Sequence, residues 1–313
     1  MPPSEHYQPQ VDATTRVRAA GKRALVLGGG GSTGNAWLIG VIAGLFDAGL
    51  DVTEADLIIG TSAGSTAAAQ ITGAAPAELL AAILSAAPQP QTAPVGSGGG
   101  RVPTGAAANH MERTGRIIAA AEDPADMRRR MGAAALELAA AADGAVQTRW
   151  RDTVATRLPS RHWPEQTVLI TAVNARTGEP VVFDRHSGID LVDAVAASCA
   201  SGFAYSIGAN RYIDGGYRSN AENADLAAGY ARVLVLSPFG GRSRTPVDWG
   251  MHLATQVADL RARGSRVETI FPDSTSEHMF GANAMDLSLR PPAARAGCNQ
   301  GRALAEQLTE FWR

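Results

Sequence analysis

An apolar run, Leu57-Ile58-Ile59, ends in Gly60-Thr61-Ser62-Ala63-Gly64, and a stretch of small residues with helical character begins at once. That order reads as strand, sharp turn, helix. Gly60 and Gly64 flank Ser62 at the spacing G-x-S-x-G; without β-carbons they let strand and helix approach closely and tolerate a strained turn that pushes a hydroxyl outward. The unpaired N–H groups at the start of the helix point at that hydroxyl. A bare five-residue match also arises in glycine-rich turns with no chemistry, so the rest of the chain has to decide.

Upstream, Ala24-Leu25-Val26-Leu27 reads as a short buried strand and runs into Gly28-Gly29-Gly30-Gly31-Ser32-Thr33-Gly34. Trp37, Leu38, Val41, Ile42, Leu45 and Phe46 then recur at helical spacing before Gly49, which predicts an amphipathic helix over 35–48. Strand, glycine loop, helix, strand, elbow, helix is a βαβα opening. The expected fold class is α/β: a three-layer α/β/α arrangement around a mainly parallel sheet, with the site at the carboxyl ends of the strands. Downstream, Thr167–Val173 and Pro180–Phe183 read as a hairpin, Ile189–Cys199 as a helix, Arg232–Leu236 and Val267–Phe271 as strands, and 247–262 and 293–312 as helices. Residues 110–157 look helical throughout, and Arg128-Arg129-Arg130 reads as a solvated helix face. Residues 1–21 are expected to be a disordered lead-in. Residues 22–313 are expected to form one domain, carrying a flexible loop and a helical insertion at about 87–160.

With 313 residues, 45% of them hydrophobic, the chain can bury a substantial core. A formal net charge of −2 supplies no basic footprint for nucleic acid. Cys199 and Cys298 fall in no metal-spaced cluster and are expected to be reduced and structural. No stretch reads as a secretory signal or a membrane span, so the cytoplasm is the expected location.

A serine hydroxyl is a weak nucleophile, and Ser62 needs a base within hydrogen-bond reach and donors for a developing oxyanion. Gly29, Gly30 and Gly31 can present successive backbone N–H groups as a concave nest, and the N–H of Ala63 adds another. The same loop fits a dinucleotide fingerprint, Gly29-x-Gly31-x-x-Gly34, but the acidic residue of the second strand, Asp56, begins that strand instead of ending it. Six histidines are available as a base, of which His252 has the chain order of a hydrolase triad. Asp214 is the better placed group, because it ends a short β-like run and is followed by Gly215-Gly216, which permits close approach by another segment.

The glycine loop, the G-T-S-A-G elbow and the D-G-G turn together resemble the patatin-like phospholipases, over about 22–90 and again over about 165–240. The resemblance implies a patatin-like fold and a Ser-Asp dyad, with Ser62 as nucleophile and Asp214 as base. It also implies an oxyanion hole at Gly29, Gly30 and Gly31, and an acyl-enzyme formed from a carboxylic ester of a lipid. No cofactor is expected, and no metal, because no cluster of ligand residues is visible; the partners are an apolar ester and, transiently, a membrane surface. Two places depart from the family pattern. Thr33 stands where the loop usually carries Arg or Lys, and Ala200-Ser201-Gly202-Phe203 lacks the usual proline. A histidine-based esterase or acyltransferase, a nucleotide-binding protein and a catalytically silent regulator remain as alternatives.

Overall fold

The computed structural model describes residues 12–14, 22–86, 105–141 and 145–313. In chain order its elements are β1 (Arg23–Leu27), α1 (Gly31–Asp47), β2 (Leu57–Gly60), α2 (Ala63–Ile71), α3 (Pro76–Ser85), α4 (Gly105–Ala120), α5 (Pro124–Ala141), α6 (Ala145–Ala155), β3 (Thr167–Asn174), β4 (Pro180–Phe183), α7 (Leu191–Ser198), β5 (Tyr205–Ile207), β6 (Asn210–Asp214), β7 (Arg232–Leu236), α8 (Leu253–Ala262), β8 (Arg266–Ile270) and α9 (Arg290–Trp312). The strands form one sheet in the order β5-β6-β3-β2-β1-β7-β8, with β4 paired to β3. The contacts from β3 through β2, β1 and β7 to β8 are all parallel, and the pairs made by β4, β5 and β6 are antiparallel. This is the expected three-layer α/β/α architecture.

Successive side chains on a strand alternate between faces, and both faces here are buried. Leu25, Leu27, Ile58, Val168 and Ile170 pack beneath α1, α2, α7 and α9, while Ala24, Val26, Leu57, Ile59 and Leu169 pack against α8 and residues 224–230. The helix α1 is held unusually close to α9. A β-carbon on Gly40 or Gly44 would lie 2.2 or 2.1 Å from Ala294 O or Cys298 O, and one on Gly297 or Gly301 would lie 2.4 or 2.3 Å from Trp37 O or Val41 O. Glycines four residues apart on each helix therefore seat one backbone on the other, and that contact fixes the helix whose first turn, Gly31–Gly34, is the second half of the glycine loop.

One register brings the two halves of the chain together. β2 pairs with the start of β3, Gly60 lying opposite Ile170. β4 covers the other edge of β3, from Ile170 to Val173. β6 must therefore follow β2 in tandem along the same edge, and it ends with Asp214 opposite Ala172. The chain leaving β2 through Thr61-Ser62 meets the end of β6 two residues further along β3.

Several expectations need correction. The first helix begins at Gly31, not near residue 35, because the turn Gly31–Gly34 is held by outside partners: Thr33 N–H donates to Ala284 O at 3.0 Å. The helix expected over 247–262 is a short 3-10 turn at Val247–Trp249 and then α8, divided at Gly250, whose φ of 68° no α-helix accepts. The helical run 110–157 is three helices, α5 starting at Pro124, a residue suited to a first helical turn. Arg128 is not solvated: Nε donates to Gly178 O at 2.9 Å and Nη1 to Arg218 O at 3.2 Å, which docks α5 on the β3–β4 turn. The loop expected over about 88–108 lies outside the described residues as far as 104, and its last residues, from Gly105, belong instead to α4; most of 1–21 also lies outside the described residues. Residues 12–14 are docked, with Ala13 N–H donating to Val182 O at 2.7 Å and Asp12 Oδ1 accepting from Val182 N–H at 2.9 Å along β4. Cys199 and Cys298 are free thiols. Among the described residues no helix is long and apolar enough to cross a membrane, and no cluster could hold a metal ion.

Candidate active site

Ser62 sits between the end of β2 and the start of α2 with φ 52° and ψ −116°, a conformation an L-residue holds only when its surroundings impose it. They do so tightly. A β-carbon on Gly60 would fall 2.6 Å from Ser65 Cα, and one on Gly64 would fall 1.9 Å from Leu27 O. Both flanking glycines are thus steric requirements of a strand and helix in backbone contact. Ser62 N–H donates to Ser198 Oγ at 2.9 Å, and Ser62 O accepts from Ser65 Oγ at 2.6 Å and from Cys199 Sγ at 3.1 Å. With its backbone held at both polar atoms, Ser62 turns Oγ toward Asp214.

Ser62 Oγ donates to Asp214 Oδ2 at 2.8 Å, and the N–H of Gly216 donates to Asp214 Oδ1 at 2.8 Å. The turn Gly215-Gly216 leaves no room for side chains on its inner face, where a β-carbon on Gly215 would lie 2.1 Å from Thr171 Oγ1. Asp214 is buried, at 8% exposure. Burial pushes its carboxyl up to about 6, against the opposing effects of the Gly216 and Ser62 hydrogen bonds. A carboxylate with that pKa is a markedly better base than a free aspartate.

No histidine among the described residues reaches this pair. His252 immediately precedes α8 and its Nε2 lies 2.8 Å from Thr245 O, while His110 Nε2 lies 3.3 Å from the hydroxyl of Tyr217. The triad order that pointed to His252 is not realised in space. The nucleotide alternative loses its acidic residue as well: Asp56 Oδ2 accepts from Lys22 and Arg23 N–H at 2.8 Å each, at the end of the sheet away from the glycine loop.

The glycine loop lies beside Ser62, and a β-carbon on Gly29 would be 3.5 Å from Ser62 Cβ. One expected donor is already committed, since Gly29 N–H donates to Ala221 O at 2.8 Å. The N–H groups of Gly30, Gly31 and Ala63 have no acceptor among the described residues. Gly34 lies in the first turn of α1, facing Pro238. Thr33 is fully buried, and its backbone and hydroxyl both turn to Ala284 O. A cation nevertheless stands against the loop. Arg290, at the start of α9, donates to Ser32 O at 2.8 Å, Ser32 Oγ at 3.1 Å and Asn35 Oδ1 at 3.3 Å. Near the end of β6, His110, Thr114 and Ile117 of α4, Met131 of α5, Ile213 and Tyr217 line a small cavity.

Sequence reasoning passed over the residue that ties these parts together. Asn223 is fully buried in a left-handed conformation, and its side-chain amide donates to Thr61 Oγ1 at 2.9 Å and to Gly215 O at 3.0 Å. Thr61 belongs to the elbow and Gly215 to the aspartate's turn, so a single amide spans both. The only local signal was asparagine's tolerance of φ near +60°. Asn223→Ala is expected to lose about 3 kcal/mol of stability in urea unfolding, from unpaired buried groups and the cost of a left-handed alanine. Asn223→Gly, which relieves only the second term, should be more stable than Asn223→Ala by about 1 kcal/mol. Equal stability of the two variants would show that the backbone conformation carries no part of the cost.

A family model described as patatin-like phospholipase matches residues 25–226, which include the glycine loop, the elbow and Asp214. No curated protein matches the chain.

Proposed function

We propose, from the premise that this chain belongs to the patatin-like phospholipase family, that it is a serine acyl hydrolase in which Ser62 is the nucleophile and Asp214 the base. Membership of that family makes a lipid ester the expected substrate class. The observation that carries the reading is the 2.8 Å contact between Ser62 Oγ and Asp214 Oδ2, made by a serine in a strained elbow at a helix N-terminus. In the first step Ser62 Oγ bonds to the ester carbonyl carbon as its proton passes to Asp214, and the carbonyl oxygen becomes an oxyanion. The N–H groups of Gly30, Gly31 and Ala63 are the donors proposed to meet it, and each such donor contributes about 3 kcal/mol to this kind of transition state. The oxyanion collapses, the carbon–alkoxy bond breaks, and the leaving alcohol takes the proton from Asp214. Water then attacks the acyl-enzyme while Asp214 accepts its proton, and the carboxylic acid leaves as Ser62 is restored.

A fluorophosphonate probe is expected to label Ser62 stoichiometrically, and Ser62→Ala should abolish both labelling and the hydrolysis of p-nitrophenyl esters by at least about 1,000-fold. A Ser62→Ala protein that still turns over esters at the wild-type rate excludes the serine mechanism. A panel of esters of graded chain length in the same assay reads the acyl preference.

A further inference from the structure

The glycine loop is carried by two backbone segments from the second half of the chain. Gly28 N–H donates to Leu236 O at 3.0 Å, at the end of β7, and Gly29 N–H donates to Ala221 O at 2.8 Å. Pro238, which follows β7, packs against the loop so closely that a β-carbon on Gly30 would fall 2.5 Å from Pro238 Cβ. The position of the loop relative to Ser62 therefore depends on the spacing between the segment around Ala221 and the turn after β7. One side chain bridges them. Glu222 is 1% exposed, and its Oε1 accepts from Ser237 Oγ at 2.6 Å. Ser237 is itself anchored, with N–H donating to Ile270 O at 2.9 Å and Oγ accepting from Gly241 N–H at 2.8 Å. Glu222 also lines the underside of the loop, its Cγ lying 3.3 Å from where a β-carbon on Gly28 would be. A buried carboxyl group is costly, and the proposed reaction cycle makes no use of this one.

We propose that Glu222 is a positioning residue for the reaction: through Ser237 it clamps the two segments that carry the glycine loop, and so sets where the Gly30 and Gly31 N–H groups stand relative to Ser62. The role in the reaction rests on the hydrolase reading above; the clamp itself does not. A consequence for pH follows from the same geometry. Ser237 faces the carboxyl from the end of β7, Gly28 from the end of β1, and Glu222's own N–H from its backbone; no charged side chain figures in its titration, and burial pushes it up to about 7. Above that pH an anion lies directly under a loop proposed to hold another developing anion, which weakens that site.

The test compares full-length wild type, Glu222→Gln and Glu222→Ala. Backbone hydrogen exchange is followed in the peptide spanning residues 28–34, and p-nitrophenyl ester kinetics are measured from pH 5 to 9. The clamp predicts exchange at least about tenfold faster in E222A and near wild type in E222Q, whose side-chain oxygen can still accept from Ser237. In the kinetics, E222A should lose about tenfold in kcat with little change in KM, and E222Q should restore most of it. The wild-type kcat should fall above about pH 7, and E222Q should lack that fall. Unchanged exchange in E222A overturns the clamp. Faster exchange with wild-type kcat and pH profile overturns the role in the reaction. A wild type that neither takes the fluorophosphonate probe nor turns over esters overturns the hydrolase reading, while the exchange measurement still decides the clamp. Should E222A fail to fold, E222Q decides through its alkaline limb, whose persistence overturns the proposal.

Discussion

Asp214→Asn is expected to give a folded protein at least as stable as the wild type above pH 6, with ester turnover lowered by about 1,000-fold or more. The substitution preserves shape. An asparagine oxygen can keep the hydrogen bond from Gly216 N–H, and the amide nitrogen then replaces the oxygen that accepts from Ser62 Oγ at 2.8 Å. What changes is the direction of the second bond, since an amide N–H can only donate to Ser62. No other base among the described residues reaches the hydroxyl, so the contribution of base catalysis is lost outright. Stability moves the other way. Burial raises the Asp214 carboxyl from 3.8 to about 6, so the folded protein holds this proton more tightly than the unfolded chain. Between those two values the folded state binds more protons, and stability falls as pH rises through the window. The accumulated cost is about 3 kcal/mol once pH exceeds 6, and asparagine does not incur it. Thermal unfolding of the two proteins from pH 4 to 8 should show the gap in Tm opening in favour of Asp214→Asn as pH rises. In the wild type the same ionisation gives kcat/KM an acid limb, rising as Asp214 loses its proton near pH 6. Undiminished turnover in Asp214→Asn would exclude this aspartate as the base, and a kcat/KM flat from pH 5 to 8 would place the base elsewhere.

Ser62, Gly60 and Gly64 were legible in the sequence because the demands on them are local: a turn that tight leaves its mark on the five residues that make it. The partner was legible only as a residue type before a glycine pair. What placed Asp214 against Ser62 was the tandem pairing of β2 and β6 along β3, and β5 and β6 are too short to show a clear period. The same limit applies to the residues passed over. Ser198 holds Ser62 N–H across 136 positions of sequence, and Asn223 reaches Thr61 across 162. Nothing in Ser198-Cys199 or in Asn220-Ala221-Glu222-Asn223 marks a partner so far away. The glycine loop meets the same limit. Composition shows that four successive glycines can present N–H groups, but not that Ala221 O arrives to take the one on Gly29. The loop's sequence likewise shows no cation at Thr33, while the fold brings Arg290 from 258 residues beyond Ser32.

Gly64→Ala should be the most damaging glycine-to-alanine change among the described residues, and Gly29→Ala separates its effect on the fold from effects on the chemistry. An alanine β-carbon at 64 would lie 1.9 Å from Leu27 O, 2.4 Å from Leu27 C and 2.9 Å from Gly28 O. Each of these is a backbone atom, so no side chain can swing aside. Leu27 cannot withdraw, because β1 is paired on both edges, to β2 and to β7. The helix cannot lift either without dragging Ser62 from its strained conformation and breaking the bond from Gly64 N–H to Thr61 O at 2.8 Å. Overpacking of an ordinary core costs about 1–3 kcal/mol because side chains share the displacement. Here the displacement falls wholly on backbone, and a loss of about 4 kcal/mol or more is expected, a large share of the roughly 5–15 kcal/mol that stabilises a typical domain. At Gly29 the nearest neighbour of an added methyl is Ser62 Cβ, at 3.5 Å, an ordinary contact. Gly29→Ala should therefore unfold within about 1 kcal/mol of wild type while losing at least about tenfold in kcat/KM, because the methyl stands beside the reacting hydroxyl. Urea unfolding and ester kinetics on the two variants give the comparison. A Gly64→Ala protein as stable as wild type would mean that α2 does not abut β1 at the elbow, and Gly29→Ala with full activity would mean that the glycine loop does not border the space where the ester binds.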